Sequence, residues 1–143
     1  LVRRGAEDKV PLLRGVLIGQ TTKAVSDDKY VQKLVTKWFD QRRNYVFAER
    51  FDEMKKRFGY KHMPALSVRD MKKRWGSFAN KEKIILHPKL IHVSKDCIDY
   101  VIVHELCHMR YKNHDKKFFT FLEEKYPKWE KVKSKLEMVG THL

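Results

Sequence analysis

The sequence is short of cysteine, with two in 143 residues, Cys97 and Cys107. On one expected helix they would stand about 15 Å apart at the helical rise per residue, beyond the reach of a disulfide. Reduced thiols fit a cytoplasmic setting. Long apolar runs are also missing. None spans a bilayer, so no membrane partner is expected. No stretch reads as a secretory signal, and the start at Leu1 rather than Met suggests a fragment. Glycine and proline are sparse, at 6 and 4 residues, and no internal repeat, linker or low-complexity tract appears. Acidic residues are outnumbered, 18 against 32 Lys and Arg, for a formal charge of +14. Such an excess draws phosphates, nucleic acid and anionic surfaces at long range. The cations are scattered, with small clusters at Lys55-Lys56-Arg57, Lys72-Lys73-Arg74 and Lys116-Lys117, a pattern that also fits a solvated surface.

What remains is globular: 42% hydrophobic and 12% aromatic residues, enough for one domain with a real core. One domain over 1–143 is expected, with a poorly defined N-terminal segment at 1–25. In that segment Val10-Pro11-Leu12-Leu13 and Val16-Leu17-Ile18 are compatible with a strand pair. Ser26-Asp27-Asp28 can cap a helix start. Val31, Leu34, Val35, Trp38 and Phe39, then Phe47, Phe51, Met54 and Phe58, recur at helical spacing, and Gly59 suits the stop. One long helix, or two nearly continuous ones, is expected. From Pro64 the pattern alternates. Leu66 and Val68, Trp75 to Ala79 and Ile84 to Leu86 read as strands, with Asn80-Lys81-Glu82-Lys83 as a hairpin turn. A small, mainly antiparallel sheet follows, and His87-Pro88 opens a short helix. Ser94 caps a buried helix to about Lys112, where Asn113 turns the chain in the left-handed conformation. Asp115 caps the next helix, and Pro127 opens the last. The class is α+β.

The chemistry concentrates in His104-Glu105-Leu106-Cys107-His108, an H-E-x-x-H sequence on the expected buried helix. Residues four apart on a helix point almost the same way. Both imidazoles can then reach one metal ion, with Glu105 placed to act on its water. Catalytic zinc takes three protein ligands and keeps one position open. His114 after the turn is the favoured third ligand, and the intervals between the three histidines match those of the metzincin pattern, although Tyr111 stands where metzincins carry glycine. A carboxylate on the next helix, Glu123 or Glu124, is the alternative. Unpaired histidines and a glutamate on a buried helix would be unfavourable, and a bound ion resolves that. Glu105 is the candidate general base. Tyr111, Arg74, Arg69 and His87 are candidates for transition-state or substrate contacts. Cys107 occupies neither ligand position and reads as packing.

Leu66-Ser-Val-Arg-Asp-Met-Lys-Lys-Arg-Trp-Gly-Ser77, Ile84-Ile-Leu86, Leu90-Ile91, Asp99-Tyr-Val-Ile-Val-His-Glu-Leu-Cys-His108, Asn113-His114 and Phe118 together resemble the YgjP-like metal-dependent hydrolases, relatives of the SprT-like and WLM zinc peptidases. The resemblance spans about Trp38 to Trp129. It implies a zincin-like fold, zinc held by His104, His108 and His114, and Glu105 as base. Phe78 and His87 depart from it, standing where the family commonly has cysteine and asparagine, and the family's N-terminal β region is short or missing. Three functions follow as expectations. The first is a zinc metallopeptidase acting on a peptide or protein, for which Ile84 to Leu86 could pair with an extended substrate. The second is a metal-dependent hydrolase of phosphoanhydrides such as nucleoside triphosphates, favoured by the positive charge. The third is a nucleic-acid-associated protein with a tethered protease site. Divalent transition metals other than zinc remain compatible with such ligands.

Overall fold

The computed structural model describes residues 25–140. The N-terminal strand pair and the segment before Val25 therefore lie outside the described residues. The chain divides into two units, one up to Asn44 and one from Tyr45 onward. The long helix is continuous, α1 at Val25–Lys55. In the first unit it carries an Arg43–Asp40 ion pair at 3.1 Å and an edge contact between the Trp38 and Phe39 rings at 5.0 Å. Phe39, read from spacing as part of the buried stripe, is 57% exposed.

In the second unit the stripe is buried as expected: Phe47, Phe51, Met54 and Phe58 all enter the core. The helix ends at Lys55, ahead of Gly59, and two tight turns close it, from Arg57 N–H to Met54 O and from Phe58 N–H to Lys55 O. Gly59 is not among the tight backbone approaches; nothing lies within 4 Å of where its Cβ would be.

Three strands follow, β1 at Ala65–Val68, β2 at Gly76–Ala79 and β3 at Lys83–Leu86. The sheet order is β1-β3-β2. β2 and β3 form the expected antiparallel hairpin, but β1 joins β3 in parallel. The sheet is therefore mixed. The reason is burial: Ile84, Ile85 and Leu86 are each at most 1% exposed, and a strand apolar on both faces takes the central place. β3 thus cannot offer a free edge to a substrate, as the sequence suggested. Among the described residues the edge strands are β1 and β2 instead. At the hairpin turn Asn80 and Lys81 have φ of 52° and 60°, and Glu82 N–H donates to Ala79 O at 3.0 Å, a primed turn of the kind that fits strand twist. Lys73, just before β2, has φ 56°. Left-handed backbone at a residue with a Cβ costs roughly 1–2 kcal/mol.

β2 packs closely on the next helix, α2 at Lys95–Cys107. A Cβ on Gly76 would sit 2.5 Å from Val101 Cγ1 and 3.4 Å from Glu105 Cγ. Valine is stiff, so the strand or the helix would have to move. Gly76→Ala is expected to destabilise the fold by about 1–3 kcal/mol, the usual scale of overpacking, and to lower activity by displacing Glu105. A urea melt with an unchanged midpoint would contradict this.

Ser94 stands at the N-cap of α2 with extended backbone, but its hydroxyl meets Cys97 Sγ at 3.4 Å and makes no cap bond. α2 ends at Cys107, five residues short of the expected Lys112, and Asn113 has no positive φ. Successive short turns from Glu105, Leu106 and Cys107 carbonyls do the turning, and Tyr60 Oη donates to Leu106 O at 2.8 Å. The last free carbonyls of the helix are thereby satisfied without a left-handed residue. Asp115 caps α3, Lys116–Lys125, by accepting from Phe118 N–H at 3.1 Å. α4 follows at Trp129–Gly140, burying Val132 and Leu136. No helix among the described residues is long and apolar enough to cross a membrane.

Candidate active site

The ligand nitrogens of His104, His108 and His114 lie within 4.8 Å of one another. α2 supplies the first two at helical spacing, with His108 at its C-cap, and the loop before α3 supplies the third. The buried ring of Phe118 lies beneath all three, with centroids 5.2, 4.6 and 4.9 Å from those of His104, His108 and His114. Because Asp115 fixes the first turn of α3, the same cap that starts the helix also places Phe118.

The hydrogen bonds select the neutral tautomer of two of the rings. His108 Nδ1 lies 3.1 Å from Tyr111 O. A carbonyl only accepts, so Nδ1 carries the hydrogen, and in the neutral ring the lone pair is on Nε2. His104 Nδ1 lies 2.9 Å from Glu105 Oε2, so in the neutral ring the hydrogen sits on Nδ1 and Nε2 is the lone-pair nitrogen. Metal-bound histidines are commonly oriented in this way by an acceptor behind the ring. His108 Nε2 and His114 Nε2 are 3.0 Å apart. Two lone pairs at that distance repel unless a proton or cation lies between them. A tetrahedral ion with nitrogen ligands at about 2.0–2.1 Å holds those nitrogens roughly 3.3 Å apart. The residues present therefore fit a divalent metal. Partial burial first, and then the charges of His104 and His108, push the His114 pKa below its ordinary value, which favours the neutral ring that a metal requires.

Glu105 is 7% exposed, and its second carboxylate oxygen makes no hydrogen bond to a protein group among the described residues. Burial pushes the Cys107 thiol up to about 12, so it is an uncharged packing group. Glu123 accepts from Trp129 Nε1 at 2.6 Å, and Glu124 lies 3.6 Å from Lys125 Nζ. Neither carboxylate joins the histidine cluster.

An open cleft of about 1290 Å³ runs past the cluster. Of the four sequence candidates for substrate contacts, Arg74 lines it; its Nη1 lies 3.4 Å from Ser77 Oγ. Arg69, Tyr111 and His87 do not line it. The Tyr111 ring packs on Phe121 at 5.4 Å, and its carbonyl is what holds His108. His87 is 2% exposed, accepts from Lys89 N–H at 3.1 Å and reaches Asp70 Oδ1 at 3.0 Å through Nε2. Its Nδ1 pins the 3₁₀ turn at Pro88–His92 after β3, and its Nε2 ties that turn to Asp70 in the loop after β1. Tyr100, passed over in the sequence, lines the cleft one helical turn before His104, with ring centroids 5.8 Å apart. Its four-residue spacing from His104 was the available signal. Burial, and then Glu105, push its hydroxyl pKa upward.

A family model for the YgjP-like metallopeptidase domain matches residues 3–138. The chain belongs to the YgjP-like metallopeptidase family. Among solved structures, this YgjP-like chain is similar to the metallopeptidase zymogen abylysin of Pyrococcus abyssi. The TM-score is 0.57 and the identity 19%, over 64% of this chain and 92% of that one. It is also similar to the metallopeptidase zymogen jannalysin of Methanocaldococcus jannaschii. There the TM-score is 0.56 and the identity 22%, over 68% and 97% of the two chains. At these identities the likeness is one of fold. No protein of curated function matches the chain in sequence. For a YgjP-like metallopeptidase, a peptide or protein substrate and a divalent metal follow at the level of the family.

Proposed function

We propose that the chain is a zinc-dependent peptidase acting as a single zincin-like domain. His104, His108 and His114 hold the ion and Glu105 is the general base. What supports this most is the pair of facing Nε2 atoms at 3.0 Å beside a buried carboxylate. When bound, the ion would acidify a water and polarise the scissile carbonyl. Glu105 accepts the water's proton on its free oxygen and passes it to the departing amine. The bond from His104 Nδ1 to Oε2 keeps that carboxylate in place between the two transfers. Among the described residues β2 has no strand beyond Gly76, Ser77 and Phe78, which line the cleft, and an extended peptide can add there as a further strand. Arg74 is an exposed cation on that side available to a developing oxyanion. Three imidazoles suit zinc, and also nickel and copper. The two free, buried cysteines support a reducing, cytoplasmic setting.

Reconstituted protein is expected to carry one divalent ion per chain, measured by mass spectrometry of the metal. His114→Ala should lower that occupancy sharply, while Glu123→Ala and Glu124→Ala should not. Cleavage of an unstructured protein is read on the same sample. A chain that takes up no transition metal, or that hydrolyses nucleoside triphosphates and no peptide, would sink the reading.

A further inference from the structure

The cleft is charged far out of proportion to the chemistry it needs. Lys73, Arg74 and Lys81 line it around β2, Arg110 and Lys112 line it beyond α2, and Lys133 lines it from α4. The acids among its lining residues are Glu105, assigned above as the base, and Glu137, which Lys133 already meets at 3.8 Å. Among the described residues, none of Lys73, Arg74, Lys81 and Lys112 has a carboxylate within ion-pair distance.

The backbone adds an independent observation. The hairpin turn after β2 reads Asn80-Lys81, with Lys81 at φ 60°, where a primed turn favours glycine. Lys73, on the approach to β2, is likewise left-handed at φ 56°. On either side of β2, the described edge strand that lines the cleft, a left-handed position carries a lysine. Such outliers persist where the surrounding structure over-determines them, and they cluster at functional sites. Unpaired cations around a cleft with low-dielectric walls focus the field and raise the local concentration of an anionic substrate.

We infer that this cleft selects acidic peptide segments, with Lys73 and Lys81 reading Asp or Glu side chains on the two sides of the strand laid along β2. The inference rests on the peptidase reading above and narrows it to a substrate class. A peptide fits better than a nucleic acid. The site's reading edge is a β-strand backbone along Gly76, Ser77 and Phe78, which an extended peptide can continue as a further strand, whereas the Phe118 ring beside the histidines is buried and open to no base.

The test uses the metal-reconstituted full chain and two decapeptides of equal length, one bearing Asp and Glu around a common cleavage site and one bearing Asn and Gln. The acidic peptide is expected to be cleaved with a kcat/KM about tenfold or more above the neutral one at low salt, with the ratio shrinking as salt is raised. Lys73→Gly with Lys81→Gly should bring the ratio close to one. Because glycine relieves the left-handed strain, this variant should melt no lower than the parent, so the change cannot be ascribed to unfolding. Lys128→Gln with Lys131→Gln removes the same charge from exposed positions outside the cleft and should leave the ratio as it was. Equal cleavage of both peptides by the parent overturns the inference, as does a ratio that the glycine variant does not move. A glycine variant that loses only affinity for a single-stranded oligonucleotide, with peptide preference intact, also overturns it. Cleavage of neither peptide, nor of any unstructured protein, is instead the failure of the peptidase reading.

Discussion

Glu105→Gln is expected to lower peptide cleavage by about 10²–10⁴-fold, the contribution typical of a positioned general base. Glutamine is nearly the same size, and its carbonyl oxygen can still accept from His104 Nδ1, the bond that spans 2.9 Å in the parent. The helix, the tautomer of His104 and the three-nitrogen cluster therefore stay as they are. What is lost is the ability to take a proton. The measurement is paired: initial rates on an unstructured protein, and metal content of the same preparation. The expected pattern is full metal occupancy with activity near background. If the variant retains a tenth or more of the activity at full occupancy, Glu105 is not the base. If both activity and metal are lost, the residue acts through the fold instead.

Asp99→Ala should be the most destabilising single change, at about 3–5 kcal/mol, the cost of breaking a buried ion pair from one side. Arg50 Nε and Nη2 donate to the two carboxylate oxygens of Asp99 at 2.7 and 3.0 Å. The side chains are 12% and 8% exposed. The hydrogen bond that Arg50 donates to Asp99 is the main reason that the Arg50 pKa is raised above its ordinary value, against the opposing effect of burial. Removing the carboxylate strands a guanidinium between α1 and α2, with no partner and little water. Replacing both partners, as Arg50→Met with Asp99→Leu, should cost less than Asp99→Ala alone, since no charge is then left buried. Urea unfolding of the two variants against the parent measures this. A loss under about 1 kcal/mol for Asp99→Ala would show that water reaches Arg50 freely and that the pair is a surface one in energetic terms.

Neither Arg50 nor Asp99 stood out in the sequence, for a physical reason. They are 49 residues apart, and no spacing rule links a charge on one helix to a charge on another. The histidine pair is the opposite case. His104 and His108 are related by the helical repeat itself, so their convergence is local and readable before any tertiary contact forms. Asp115 is local too. An oxygen side chain accepts from an amide three residues on, and the observed bond to Phe118 N–H is that one.

Other local signals were overridden. Met109 and Tyr111 continue an apolar helical pattern past Cys107, yet the helix stops there because its final carbonyls find partners in short turns and in Tyr60 Oη. Ile84 to Leu86 looked like a strand free to pair, but its burial on both faces placed it in the middle of the sheet. Tyr111 and His87 are polar residues near the motif in sequence, but their ring contacts and hydrogen bonds are directed elsewhere.

The H-E-x-x-H helix, its charge-bearing residues and the α+β class were determined by sequence alone, because they rest on periodicity and on capping, which act within a few residues. Tertiary structure decided which edge of the sheet faces the cleft. It also decided which neutral tautomer His104 and His108 take, and why Gly76 has no side chain. Each of these depends on groups brought together from separate elements, on distances of a few ångströms that no pattern along the chain records.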